Sequence, residues 1–397
     1  MTVQRGRWTM EDQAEQIMRS IPVDVPPGTA ALTVELAYDR TQGVLDLGCE
    51  GPDGFRGWSG GARDRYTITP GWATPGYLPG ALEPGVWQVL LRLHRVPPTG
   101  LDFTVTATTS DKTAQEPPAS EPPPVTARGP RRELPAVEGK KWLAGDLHSH
   151  TVHSDGILTV PELAALAVER GLDFLAVTDH NTVSHHPELA AAGRHYGIDL
   201  IPGQEVTTDR GHANAWGPIG WVDFRRPVDE WVAAVDRDGG ILSINHPLGG
   251  DCAWRQPVTD RPRHAEIWHS GWFDRTWGAP LAWADAWRPD VIPVGGSDFH
   301  RPGNDGLPGN PTTWVLADDG DVLGGLKAGR VAINAGPAEA LLVRFGDELL
   351  ALDADGTVLI RPDGSRIVIR GDRVTIPAGD GLHLLETATT EVVALCR

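Results

Sequence analysis

The sequence predicts an α/β protein with β-rich regions on either side of an alternating stretch. Three observations carry this. From about residue 138 to 336, strand-like and helix-like patterns alternate; residues 21 to 107 hold only short β-type runs between Gly/Pro turns; and the tail from 337 to 397 returns to β. At 397 residues the chain exceeds one ordinary core, so two or three domains are expected. The boundaries read as a β-sandwich domain over 1–108, a Pro-rich linker over 109–137, an α/β barrel over 138–336 and a C-terminal β region over 337–397.

In the first region the runs are "ALTVELAYD", "GVLDLGC", "RYTIT", "VWQVLLRLH" and "LDFTVTAT". Leu32, Val34 and Leu36 alternate with polar residues, and Val89, Leu91 and Leu93 repeat the pattern, which suits strands with one buried face in a sandwich. "FRGWSGGARD" and "TPGYLPG" read as its Gly-rich turns. Residues 109 to 135 are rich in Pro, Glu and Ala and poor in apolar side chains, as a partly polyproline-like linker is.

After the linker the period changes. Strand-like "WLAGDLH" precedes helical "TVPELAALAVERG", where Thr159 and Glu162 form a capping box, Pro161 sits in the first turn and Gly171 stops the helix. "LDFLAVTDH", "PELAAAGRHYG", "IDLIPGQEVTT", "PVDEWVAAVDRDGG", "ILSINHP", "HAEIWHS", "LAWADAWRPD", "VIPVGGSDFH" and "TTWVLAD" continue the alternation. This is the pattern of a parallel β/α barrel or open sheet, and more than six strands favours the barrel. The tail, with "ALLVRF", "TVLIRP", "RIVIRG" and "EVVALC", makes a small sheet of its own or pairs with the first domain.

Lys and Arg total 35 against 53 for Asp and Glu, a net charge of −18, which argues against long nucleic acid or an anionic membrane as partner. A single phosphate held by a metal remains compatible. Cys49, Cys252 and Cys396 form no CxxC or Cys/His pattern, so neither a disulfide framework nor a zinc finger is indicated. No signal-peptide-like stretch or membrane-length apolar run is present, and the expectation is a soluble cytoplasmic protein. Of fifteen tryptophans, seven lie between Trp254 and Trp314; they read as packing residues, with an aromatic rim around a cleft as the alternative.

The chemistry is concentrated at strand ends. His148 and His150 follow "WLAGDL", Asp179 and His180 follow "FLAVT", Glu205 follows "LIPGQ", His212 opens "HANAWG", His246 follows "ILSIN", and Asp298 and His300 follow "VIPVGGS". Loops converge at the C-terminal ends of barrel strands, and alternate residues of an extended chain share a face, so these side chains can meet in one cavity. Imidazole nitrogens mixed with carboxylate oxygens suit Zn²⁺, Mn²⁺ or Fe²⁺, and the absence of thiolates argues against a closed structural zinc site. Glu205 is placed to bridge two cations.

In order and spacing, "DLHSHTVHSDG", "TDHN", "GQEVT", "NHP" and "SDFH" resemble the motifs of the PHP (polymerase and histidinol phosphatase) family, within it the carbaryl-hydrolase-like branch, over about residues 140 to 335. The resemblance implies a distorted seven-stranded β/α barrel with two or three divalent metal ions at its mouth. By position it implies one ion on His148, His150, Glu205 and Asp298, a second on the bridging Glu205 with His212 and His246, and a third on Asp155, His180 and His300. Asp155 stands where some three-metal members place a histidine. His153 is read as a substrate-facing or supporting residue, Asp179 as an orienting one, and His269, at the end of its strand, as a loop or packing residue with reach into the cavity as the alternative.

The first functional reading is hydrolysis of a phosphomonoester or phosphodiester of a small molecule or nucleotide by a metal-bridging hydroxide, with Arg301 and Arg210 as candidate phosphate-binding cations and His153 or a metal-bound water as candidate proton donor to the leaving group. The alternative within enzymes is a carbamate or carboxylic ester. A carbohydrate- or partner-binding protein with an inactive barrel would lack ligands, whereas all nine expected positions carry competent side chains. Oligomeric state is left open.

Overall fold

The computed structural model describes residues 1–118, 121–303 and 306–397; residues 119–120, within the stretch read as a linker, lie outside the described residues. The chain divides into two compact units. One comprises Met1–Pro122 with Thr151–Ile157 and Asp179–Pro187, and the other Pro123–His150, Leu158–Thr178 and Glu188–Arg397.

The first unit carries two four-stranded antiparallel sheets. One runs Thr2–Trp8, Leu101–Ser110, Ala31–Tyr38, Arg65–Ile68; the other runs Met18–Val25, Gly85–Arg95, Val44–Gly51, Gly54–Gly60. The alternation at Leu32, Val34 and Leu36 and at Val89, Leu91 and Leu93 places all six in a single buried apolar cluster contributed by both sheets. Two features depart from the sequence reading. The segment Thr2–Trp8 is a strand, with the Trp8 ring stacked on Phe103 at 5.0 Å. "FRGWSG" is a strand rather than a turn, because its glycines and their partners give the backbone room: a Cβ at Gly48 would lie 2.3 Å from the Trp58 ring, and one at Gly57 would lie 2.5 Å from the backbone of Tyr77.

In the second unit thirteen strands form one mixed sheet. Its order is Ile292–Gly296, His264–His269, Ile241–Ile244, Gly211–Trp216, Asp199–Thr208, Phe174–Val177, Lys141–Asp146, Thr312–Ala317, Val331–Asn334, Val392–Cys396, His383–Glu386, Val358–Ile360, Arg366–Val368. "FLAV" and "ILSI" are buried at every position, which is how strands covered on both faces read. Helices Val160–Glu169, His186–Tyr196, Val228–Arg237 and Ala279–Trp287 fall where the period predicts, and the Thr159/Glu162 capping box is formed.

The expectation of a parallel sheet needs correction. Asp199–Thr208 and Gly211–Trp216 are antiparallel, as are Gly211–Trp216 and Ile241–Ile244, because only Asp209 and Arg210 separate the first pair and so short a turn can only reverse the chain. The remaining neighbours from Lys141–Asp146 to Ile292–Gly296 are parallel. Just beyond the first and last of these seven strands, Ser149 and Phe299 make a parallel bridge. The tail joins this sheet: Cys396 pairs with Ala332 and Ala394 with Asn334. Leu341–Phe345, Glu348–Leu352 and Arg373–Pro377 form a separate three-stranded sheet. Among the described residues no helix is long and apolar enough to cross a membrane.

Candidate metal centre

The second unit gathers His148, His150, Glu205, His212, His246 and Asp298 around shared carboxylate oxygens. His148 and Asp298 each sit two residues past a strand, after Asp146 and Gly296, so the ladder aims them outward from its end. Glu205 and His212 instead lie within the two antiparallel strands, where the register pairs Thr207 with His212 and Glu205 with Asn214. His246 and Asp298 adopt left-handed backbone, with φ of 24° and 54°, a strained geometry that tends to mark functional positions.

Asp298 Oδ1 lies 2.9 Å from His150 Nε2 and 3.1 Å from His148 Nε2. Glu205 Oε1 lies 3.1 Å from His212 Nδ1, 3.2 Å from His246 Nε2 and 3.3 Å from His148 Nε2, while its Oε2 lies 3.6 Å from His150 Nε2. Glu205, His148 and His150 are fully buried. Ligand atoms of His148, His150, Glu205 and Asp298 are all within 4.8 Å of one another, and so are those of His212, His246 and Cys252.

Whether these residues fit a cation can be judged at His148. Its Nδ1 is 3.0 Å from Glu266 Oε1, an acceptor, so Nδ1 carries the proton and the neutral ring turns the lone pair of Nε2 toward Asp298 and Glu205. That Nε2 is buried and makes no hydrogen bond among the described residues. A lone pair facing two carboxylates repels them unless positive charge stands between. Without an ion, a proton on Nε2 supplies that charge. Burial would lower the basicity of His148, but Asp298, Glu266 and Glu205 outweigh it and hold the ring well above the ordinary imidazole range; Asp298 is held well below its own range against the pull of burial by His148, His150 and His269. The protein alone thus leaves an anion-rich pocket, and the donor set fits divalent ions of the Zn²⁺, Mn²⁺, Fe²⁺ type.

Several supporting residues escaped the sequence reading. Glu266 accepts from His148 Nδ1 and, through Oε2, from the backbone N–H of His246 at 2.9 Å. A charged residue inside the buried strand "HAEIWH" was the available signal, since burial without a partner is costly. Asp146 accepts the N–H groups of His148, Ser297 and Gly309, tying two strand ends together. Asn245 Nδ2 donates to Glu205 Oε1 at 2.8 Å. His269, read as a loop residue, reaches the centre: Gly271 N–H donates to its Nδ1, so its Nε2 carries the proton and points at Asp298 Oδ2 from 3.2 Å. It acts as a donor steadying Asp298. Cys252 Sγ lies 3.4 Å from His246 Nδ1, and no Cys/His spacing announced it.

The other predicted residues have the following positions. His300 stacks on His150 with ring centroids 4.1 Å apart. Arg210 is exposed and donates to the carbonyl of Arg255, and Arg301 is exposed. On the first unit, Asp155 and His180 lie 3.5 Å apart. Their segments are held by that unit's own residues: Arg63 donates to the carbonyls of Val152 and Ser154, Ser184 Oγ accepts from Gly76 N–H, and Thr182 Oγ1 donates to Gly76 O. Asp179 orients its neighbours, accepting from Thr151 N–H, Thr151 Oγ1 and Ser154 Oγ. His153 is buried, with Nδ1 2.7 Å from Ser184 Oγ.

Parts of the chain are similar to known proteins. A 67-residue stretch is 45% identical to the 5'-3' exoribonuclease Rnm of Salmonella typhimurium, covering 16% of this chain and 22% of that protein. A 66-residue stretch is 41% identical to the 3',5'-nucleoside bisphosphate phosphatase of Chromobacterium violaceum, covering 17% and 23%. The chain therefore spans under a quarter of the length of these relatives. Among solved structures, a two-domain protein containing a predicted PHP-like metal-dependent phosphoesterase from Bacteroides vulgatus aligns with a TM-score of 0.42 and 17% identity over 68% of this chain and 91% of that one. Residues 146–247, the segment bearing His148, His150, Asp155, His180, Glu205, His212 and His246, match the family model of the PHP domain.

Proposed function

We propose that this chain is a metal-dependent hydrolase that cleaves a phosphomonoester or phosphodiester of a small molecule or nucleotide. The observation that carries the reading is His148 Nε2, buried without a hydrogen bond between the carboxylates of Asp298 and Glu205. In this reading His148, His150, Glu205 and Asp298 hold one divalent ion, Glu205 with His212 and His246 a second, and Asp155, His180 and His300 a third. Bound there, Mn²⁺, Zn²⁺ or Fe²⁺ supplies an acidified water and charge to offset the phosphoryl oxygens. Glu266 and His269 fix the rings and carboxylate of the first set. Arg301 and Arg210 orient phosphoryl oxygens. As the water oxygen bonds to phosphorus and the bond to the leaving oxygen breaks, His153 gives that oxygen its proton. The printed names of the relatives, an exoribonuclease and a bisphosphate phosphatase, both describe action on phosphoesters.

The scaffold in this proposal is a distorted seven-stranded barrel closed near Ser149 and Phe299, with an N-terminal sandwich; the parallel bridge between those residues and the shared core of the two first-unit sheets support it. The location is cytoplasmic, and the substrate is a small molecule rather than long nucleic acid or a membrane. A second reading, hydrolysis of a carbamate or carboxylic ester with the same residues, rests on the motif likeness to carbaryl-hydrolase-like proteins. Elemental analysis of untreated protein together with assays on p-nitrophenyl phosphate, bis-p-nitrophenyl phosphate and 1-naphthyl carbamates tests both. We expect two or three ions per chain, phosphoester turnover, and a loss of about 100-fold or more in rate, with lower metal content, in Glu205→Gln. Turnover of carbamates alone reverses the order of the readings, and protein free of bound metal overturns both.

A further inference from the structure

We infer that the cavity beside Asp298 and His300 is the leaving-group subsite, that it takes a flat aromatic group, and that Phe273 sets this preference. The inference rests on the hydrolase reading for the term "leaving group" but not for the binding of the ring. The cavity, about 570 Å³ and wholly within the second unit, is lined by Asp298, His300 and His269 together with Trp272, Phe273 and Arg275. That volume suits a small molecule that meets both the carboxylate and imidazole groups and the aromatic ones.

Most of the wall is committed to the fold. Trp268 and Trp272 are buried and meet edge to face at 5.6 Å and 73°, and the Trp272 indole N–H donates to the carbonyl of Trp277 at 3.1 Å. The Arg275 guanidinium lies 5.4 Å over the Trp268 ring, donates to the carbonyl of Val392 and pairs with Glu391. Arg275 is thereby neutralised and offers a second phosphate no unpaired cation, so a neutral group suits its surroundings better. Phe273 differs from its neighbours: it lines the same cavity yet is 87% exposed. A phenyl ring that the fold leaves in water, on a rim whose other aromatics are fixed from behind, is positioned to stack on a ligand ring, which prefers the offset or edge contacts such walls provide. The run of tryptophans that began as packing residues thus includes part of the cleft wall.

The test uses the full chain, native and Phe273→Ala, a change at an exposed position that leaves the fold intact. KM and kcat are measured for 2-naphthyl phosphate and glycerol 2-phosphate, binding of 2-naphthol by calorimetry, and particle mass by light scattering. We expect Phe273→Ala to raise KM for the naphthyl ester by about tenfold, to leave the glycerol ester within about twofold, to weaken 2-naphthol binding by about the same factor, and Phe273→Trp to restore all three. If native protein hydrolyses neither ester while 2-naphthol binding still depends on residue 273, the subsite stands and the hydrolase reading falls. Equal KM changes for both esters, or 2-naphthol binding indifferent to Phe273→Ala, overturns the subsite. So does a change in particle mass without a change in binding, which would make Phe273 a contact between copies of this chain.

Discussion

Glu266 touches no substrate in the proposed reaction, yet it controls the His148 ring. By accepting from His148 Nδ1 it fixes the tautomer that aims a lone pair at Asp298 and Glu205, and by accepting from the His246 backbone it links two ligand-bearing loops. Histidines that hold metals commonly give their other N–H to such an acceptor, and its loss weakens metal binding by about 10- to 100-fold. Glu266→Gln keeps the volume and removes the charge, so metal affinity measured by competition with a chelator should fall within that range while thermal stability changes little. Unchanged affinity would remove Glu266 from the centre. His269 plays the parallel part for Asp298, and its tautomer is set by a backbone N–H rather than by a carboxylate.

At the scale of elements, the site depends on how closely the edge strand Ile292–Gly296 approaches the strand that ends at Asp146. A Cβ on Gly296 would lie 2.1 Å from Glu266 Oε1 and 2.5 Å from His148 Cβ. Gly296→Ala must therefore displace Glu266 or the strand end, and we expect about 1–3 kcal/mol of destabilisation together with reduced metal content. Gly71→Ala, where a Cβ meets nothing within 4 Å, is the matched control and should stay within about 0.5 kcal/mol of native. Urea unfolding and elemental analysis of both variants decide; an innocuous Gly296→Ala would show that the strand end tolerates movement. The antiparallel hairpin of Asp199–Thr208 and Gly211–Trp216 contributes differently, since it places Glu205 and His212 in the middle of strands and not at their ends.

For the whole molecule, the net charge of −18 makes a testable difference to the proposed phosphoester substrates. A polyanion is repelled over the Debye length, about 30 Å at 0.01 M salt and about 8 Å at 0.15 M. If the chain acts on single-stranded RNA at all, kcat/KM should rise across that salt range, opposite to the usual loss when basic proteins release counterions. A mononucleotide carries few charges and should respond much less. A falling profile on RNA would indicate a basic track that outweighs the net charge. Within the first unit, Arg63 and Gly76 hold the segments that carry Asp155 and His180.

The sequence by itself determined the alternation of strand and helix from Lys141 to Gly296, the capping of Val160–Glu169, and the identity of the imidazoles and carboxylates, because local periodicity and caps act over a few residues. It placed His148, His150, Asp298 and His246 correctly just beyond strand ends. Strand direction after Thr208 was legible in the two-residue turn but was overridden by the expectation of a regular barrel. Glu266 left one trace, a charge inside the apolar strand "HAEIWH", whereas the contacts of Cys252 and Asp146 could be recognised only in three dimensions. Asp146 acts through the backbone N–H groups of His148, Ser297 and Gly309, and Cys252 approaches the His246 ring across a turn; such contacts leave no period or spacing in the chain and exist only once it has packed.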